Sequence, residues 1–107
     1  MDNQHRKITG YRELSQDEID LMNAIKREGA SLLRLQEKLH SYLAGKQALM
    51  RAKSEDPDLP PEYRQAVDEE LARFSAAEPL RWAAIGKTDI QTAVMALVRA
   101  VAQPAGV

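Results

Sequence analysis

The chain has 107 residues, enough for one domain, with hydrophobic residues at 44%, charged residues at 29% and aromatics at only 5%. It holds no cysteine, which excludes disulfides, thiol catalysis and cysteine-based zinc sites. Net charge is −1, and its distribution is uneven: +3 over residues 1–53, −6 over 54–78 and +2 over 79–107. An extended duplex-DNA binder would carry a larger basic excess, so neither DNA nor RNA is an expected partner. A small anion held between the two basic ends fits better.

Met1 to Arg12 is polar and has no apolar signal-peptide core. No apolar run approaches the ~20 residues of a membrane span. A cytoplasmic protein without membrane contact is expected.

The stretch His5-Arg6-Lys7-Ile8-Thr9-Gly10-Tyr11-Arg12 gathers basic groups, a flexible glycine and an aromatic just before a helix. Helix starts favour anions through free backbone N–H groups and the helix dipole. Here Tyr11 can stack on a base, and Arg6, Lys7, Arg12 and Lys26 can meet phosphate. A solvated arm whose Tyr11 staples an oligomer is the alternative reading of the same residues.

Ser15 and Glu18 have the spacing of a capping box, with Leu14 and Ile19 at the staple positions. A long helix over 15–53 follows. Met22, Ile25, Gly29, Leu32, Gln36, Leu39 and Leu43 recur at alternating intervals of three and four, a coiled-coil seam. Gly29 weakens this helix by roughly 1 kcal/mol relative to Ala. It marks either close helix packing or room for a ligand.

Residues 54–61 contain three prolines and three acids and read as a turn. A helical segment over 62–102 comes next, interrupted near Pro79. Ser75 and Glu78 repeat the capping-box spacing, so a new helix is expected to open there. In the last helix Ile90, Val94, Leu97 and Val101 make one apolar stripe. Beside it lie Trp82, Gly86, Ala93, Ala96 and Ala100, small residues apart from the Trp. A helix apolar on most of its circumference is surrounded by protein. One hairpin cannot surround it, so packing between subunits is expected. The fold class is all-α: a helical hairpin that assembles into a homo-oligomeric helical bundle.

Signals of catalysis are missing from the sequence. His5 and His40 have no metal-ligand spacing, and the serines lie in no nucleophile elbow. The glycines form no phosphate-binding loop. No catalytic residue, metal or cofactor is expected.

Two blocks carry a resemblance. His5-Arg6-x-Ile8-x-Gly10-Tyr11-Arg12-Glu13-Leu14, with Ile19-Asp20-Leu21-Met22-Asn23 and Lys26, resembles the start of the phage anti-CBASS cyclic-nucleotide sponges. (CBASS is a bacterial antiphage defence that signals with cyclic oligonucleotides.) Glu78-Pro79-x-Arg81-Trp82-x-Ala84-Ile85-x-Lys87-Thr88-Asp89-Ile90-Gln91-Thr92 and Met95 through Pro104 resemble the family's C-terminal helix. A related helical hairpin occurs in anti-Thoeris sponges. The resemblance implies a homo-oligomer, a hexamer in the family, working in the infected bacterial host. It implies capture of cyclic dinucleotides such as cyclic GMP–AMP between subunits, with Tyr11 and Lys26 matching the family's ligand contacts. His5, Arg6 and Gly10 of the basic arm complete that candidate site. Cyclic trinucleotides are expected at a second site, for which Thr88, Arg81 and Arg64 are the candidates. A coiled-coil scaffold without a small ligand is the alternative from another class.

Overall fold

The computed structural model describes residues 12–105. Three α-helices follow one another: α1 (Gln16–Ser54), α2 (Pro61–Ala77) and α3 (Pro79–Ala102). No strand occurs among the described residues.

The opening of α1 is built by Ser15 and Glu18. The Glu18 backbone N–H donates to Ser15 Oγ at 3.2 Å, and the Ser15 N–H donates to Glu18 Oε1 at 2.9 Å. Two donors left over at a helix start are thereby satisfied reciprocally. Asp17 and Glu18 lie in the first turn and Arg51 and Lys53 in the last, each matched to the local sign of the helix dipole.

After α1 the chain reverses through Glu55 to Pro60. The Asp58 N–H donates to the Asp56 carboxylate at 2.9 Å, a turn made by a short acidic side chain. Arg64 reaches back from α2 and donates to the carbonyls of Ser54 (2.9 Å), Leu59 (3.3 Å) and Asp56. One guanidinium therefore closes the turn. Pro60 precedes α2 with φ −57° and ψ 146°, and Pro61 takes its first position. A proline is well placed there, because the N–H it lacks would have had no intrahelical partner.

The break between α2 and α3 falls at Glu78, not at Ser75. Ser75 lies inside α2, and Glu78 adopts a left-handed conformation, φ 51° and ψ 49°. Its N–H donates to the carbonyls of Phe74 (3.2 Å) and Ser75 (3.3 Å), an ending that uses carbonyls otherwise left without donors. Pro79 then has no N–H with which to continue α2, and α3 begins on it. At the other end Gln103, φ 48°, closes α3 with its N–H on the Arg99 carbonyl at 2.8 Å, and Pro104 follows.

The chain divides into two compact units. The first takes the described residues up to Arg34 and those from Thr88 onward. In it α1 and α3 run antiparallel: Arg12, just before α1, meets Val101 near the end of α3, and Gly29 meets Val94. Gly29 is buried there, and a Cβ built on it would collide with Cγ2 of Val94. This glycine lets α1 and α3 approach closely at Val94. Ala102 is also buried.

The second unit is Leu35–Lys87. Its buried apolar side chains are Met50, Phe74 and Ala83. The amide of Gln36 donates to the Ala83 carbonyl at 3.0 Å, and Ser54 Oγ pairs with the Asp68 carboxylate. Gln36, a polar residue within the α1 seam, is thus partnered rather than stranded.

Candidate ligand-binding surface

The chemistry at the start of α1 rests on one carboxylate. Glu18 Oε1 accepts from the Ser15 N–H and, at 3.2 Å, from Arg12 Nη1. Arg12 Nη2 pairs with the other oxygen, Oε2, and also donates to the Val101 carbonyl at 2.9 Å. Val101 lies in the last turn of α3, where carbonyls lack intrahelical donors. The guanidinium thus joins the first turn of α1 to the last turn of α3.

The Arg12 hydrogen bond, followed by those from Ser15, holds the Glu18 carboxyl down at about 2 from its ordinary 4.5. A depressed carboxylate stabilises the fold above its unfolded value, and that contribution is lost as pH falls through the folded value. The window here runs from about 4.5 down to about 2. Glu18→Gln should therefore lower the melting temperature at neutral pH. The gap to the parent chain should close as pH drops through that window. Circular-dichroism melts on both chains at a series of pH values check this. A gap that stays constant down to pH ~2 would contradict the assignment.

Of the residues expected at a cyclic-dinucleotide site, Lys26 is described and is exposed on α1 in the first unit. His5, Arg6, Gly10 and Tyr11 lie outside the described residues. Arg12 stands directly after Tyr11 in sequence, and its partners are Glu18 and Val101.

The three second-site candidates have different surroundings. Thr88 is exposed in the first unit. Arg81 is exposed in the second, its guanidinium 5.3 Å from the centre of the Trp82 ring and 3.5 Å from the Glu78 carboxylate. Arg64 is half-buried and is occupied by the turn carbonyls. The concavity beside Arg64, about 640 Å³, is also lined by Asp68 and Glu69, which oppose an anionic guest.

Two further concavities escaped sequence reasoning. In the first unit a groove of about 550 Å³ lies between α1 and α3, lined by residues such as Leu21, Ile25, Gly29, Ile90 and Leu97. Its lining includes Glu28 and Asp89, and no lysine or arginine. An apolar floor with two carboxylates does not suit a dianionic nucleotide. It suits another protein surface. Leu21 is 56% exposed, Leu32 49% and Leu97 53%, so this apolar face is left open on the single chain. In the second unit Gln36, Glu37, His40, Ser41, Ala84 and Lys87 line a more polar hollow of about 460 Å³. Its residues come from α1 and α3, so no local pattern announces it.

Among the described residues, no three His, Cys, Asp or Glu side chains converge as a metal site. Also among them, no helix is long and apolar enough to cross a membrane.

Three helices without a strand among the described residues, paired with an open apolar face, define an all-α helical hairpin protein. Comparison with known families agrees. The model of the Acb2/Tad1 hairpin domain matches residues 3–102. Anti-CBASS protein 2 of Pseudomonas phage JBD67 is 60% identical over 107 residues, with 99% of each chain covered. The chain belongs to the Acb2/Tad1 hairpin family.

Proposed function

We propose that this chain is a phage-encoded sponge that binds cyclic oligonucleotide messengers and so blocks CBASS immunity inside the infected host. The observation that carries this reading is the 60% identity, end to end, to a protein named for anti-CBASS action. Cyclic dinucleotides such as cyclic GMP–AMP are the first ligands, and cyclic trinucleotides the second. Sequestration makes and breaks no covalent bond, and the sequence shows no nucleophile-elbow or metal-ligand motif that would call for one.

The physical requirement points to an assembly. A cyclic dinucleotide presents two bases and two phosphates about an approximate twofold axis. A twofold interface presents each protein residue twice, once to each half of the ligand. Two stacked bases at ~1–3 kcal/mol each and two charge-assisted contacts at ~1.5–3 kcal/mol each amount to roughly 5–12 kcal/mol before entropic costs. Nanomolar capture needs about −12 kcal/mol. Burial of the ligand and a site organised in advance by the oligomer supply the remainder. The open apolar face of Leu21, Leu32 and Leu97 supports self-association, and a hexamer is the proposed assembly.

The test is titration of the purified chain with cyclic GMP–AMP, followed by denaturation and recovery of the ligand. Nanomolar binding to an oligomer and recovery of intact cyclic nucleotide are expected. A sedimenting 12.0 kDa monomer at micromolar concentration refutes the assembly. Linear nucleotide accumulating in proportion to protein refutes simple sequestration. An oligomer that binds no cyclic nucleotide leaves the scaffold reading in its place.

A further inference from the structure

We propose that the polar hollow between α1 and α3 in the second unit is a separate nucleotide site, taking a phosphate on Lys87 and His40 and an exocyclic amine on Glu37. It stands apart from the cyclic-dinucleotide reading, whose ligand meets Tyr11 and Lys26. Gln36, Glu37, His40, Ser41, Ala84 and Lys87 line the hollow. All six belong to Leu35–Lys87, so one compact unit holds the whole lining. On α1, Gln36 and His40 are four apart, as are Glu37 and Ser41; on α3, Ala84 and Lys87 are three apart. These spacings put neighbours on one face of each helix.

The donors of this hollow are uncommitted. Among the described residues, ion pairs or carbonyls hold Arg12, Arg64, Arg73 and Arg81, but neither Lys87 nor His40. Lysine brings an ammonium, imidazole at least one N–H in either protonation state, and Ser41 a hydroxyl, a donor set suited to phosphate. The acceptors are equally definite. Gln36 is fixed by its amide N–H on the Ala83 carbonyl at 3.0 Å, which leaves its side-chain oxygen to accept. Glu37 accepts only, and it would repel a bare anion. A ligand carrying both a phosphate and an amine satisfies the two ends together. The volume of about 460 Å³ is that of a small-molecule site and leaves room for a base beside the phosphate, with Ala84 adding only a methyl to the wall. The concavity beside Arg64 lacks this pairing, because its guanidinium is held by carbonyls and its other charges are the carboxylates of Asp68 and Glu69.

NMR of the histidine ring C–H groups reads the hollow directly. The chain has only two histidines, His5 and His40, and His40→Ala identifies the second signal. Adenosine monophosphate, adenosine, inorganic phosphate and purine riboside monophosphate, which lacks only the amine, are each titrated into the full chain. Adenosine monophosphate should shift the His40 signal saturably, and adenosine should not. Lys87→Ala should weaken that binding about tenfold. Purine riboside monophosphate should bind the parent chain about tenfold more weakly than adenosine monophosphate, and Glu37→Gln should abolish this preference. The preference is a ratio measured on one preparation, so it decides the matter even if a variant changes assembly. An unmoved His40 signal overturns the proposal. Equal binding of inorganic phosphate reduces the hollow to an anion contact and overturns the nucleotide assignment. A preference that persists in Glu37→Gln overturns the role of Glu37. Repeating the titration with cyclic GMP–AMP in excess separates the two readings: undiminished binding supports a separate site, and displacement from His40 overturns it. A chain that ignores cyclic GMP–AMP but binds adenosine monophosphate at His40 refutes the cyclic-dinucleotide reading alone.

Discussion

Gly29→Leu should destabilise the protein by ~3 kcal/mol, the upper range for overpacking a filled position. Gly29 is buried in the first unit, and the first atom any side chain adds already overlaps Cγ2 of Val94. Val94 yields poorly, because a β-branched side chain within a helix has one strongly preferred rotamer. The competing term is helix propensity, which favours Ala over Gly by ~1 kcal/mol. For Gly29→Ala the two effects partly offset, and a net loss of about 0–2 kcal/mol is expected. For Gly29→Leu the added volume dominates. Urea unfolding at one fixed protein concentration checks both, since oligomerisation makes apparent stability concentration-dependent. Val94→Ala provides the control. It opens the space that Gly29→Ala needs, so the double substitution should be more stable than the two single losses predict, by ~0.5–3 kcal/mol. Strict additivity would show that Gly29 and Val94 are not the contact that matters.

This glycine also shows what the sequence could and could not say. Its place in the α1 seam was legible from spacing. Whether it made room for a helix or a ligand was not, because the answer lies 65 positions later at Val94. The two capping-box patterns make the same point from within the chain. Ser15 and Glu18 form the box because residues 12–14, just before them, are not helical. Ser75 and Glu78 have the same spacing, yet α2 runs on through Ala76 and Ala77, both strong helix formers. There Pro79 decides the break, and Glu78 takes the left-handed turn ahead of it.

The site was less legible than the fold for a related reason. Arg12 reads from the sequence as a cation available to phosphate, and Arg64 as a candidate for a second ligand site. Each donates to backbone carbonyls, Arg12 at the end of α3 and Arg64 in the turn before α2. A free carbonyl leaves no mark on side-chain composition, so no charge count anticipates such partners. His40 and Lys87 are 47 positions apart and share a hollow only because α1 and α3 pair in the second unit. Amphipathic spacing, by contrast, is a property of each helix alone. It carried the all-helical fold from the residues directly.

Tyr11→Ala and Lys26→Ala should each weaken cyclic-dinucleotide binding by roughly 1–3 kcal/mol per affected contact. In a site with twofold symmetry each substitution removes two contacts, so the measured loss approaches twice that, and nanomolar binding falls to a range from tens of nanomolar to roughly ten micromolar. The two residues act differently, and the experiment can tell them apart. Tyr11 offers an aromatic face, so Tyr11→Phe should keep most of the affinity. Lys26 offers a charge, so its loss should reduce the salt dependence of binding as well as the affinity. Lys26 is exposed, and Tyr11 is not among the residues of the α1 seam, so the assembly should survive both changes. A chain in which Tyr11 only staples the oligomer gives the opposite pattern: Tyr11→Ala dissociates the assembly, and ligand binding fails because the assembly has failed. Calorimetry and sedimentation on the same preparations decide between them. Intact oligomers with unchanged affinity would remove both residues from the site.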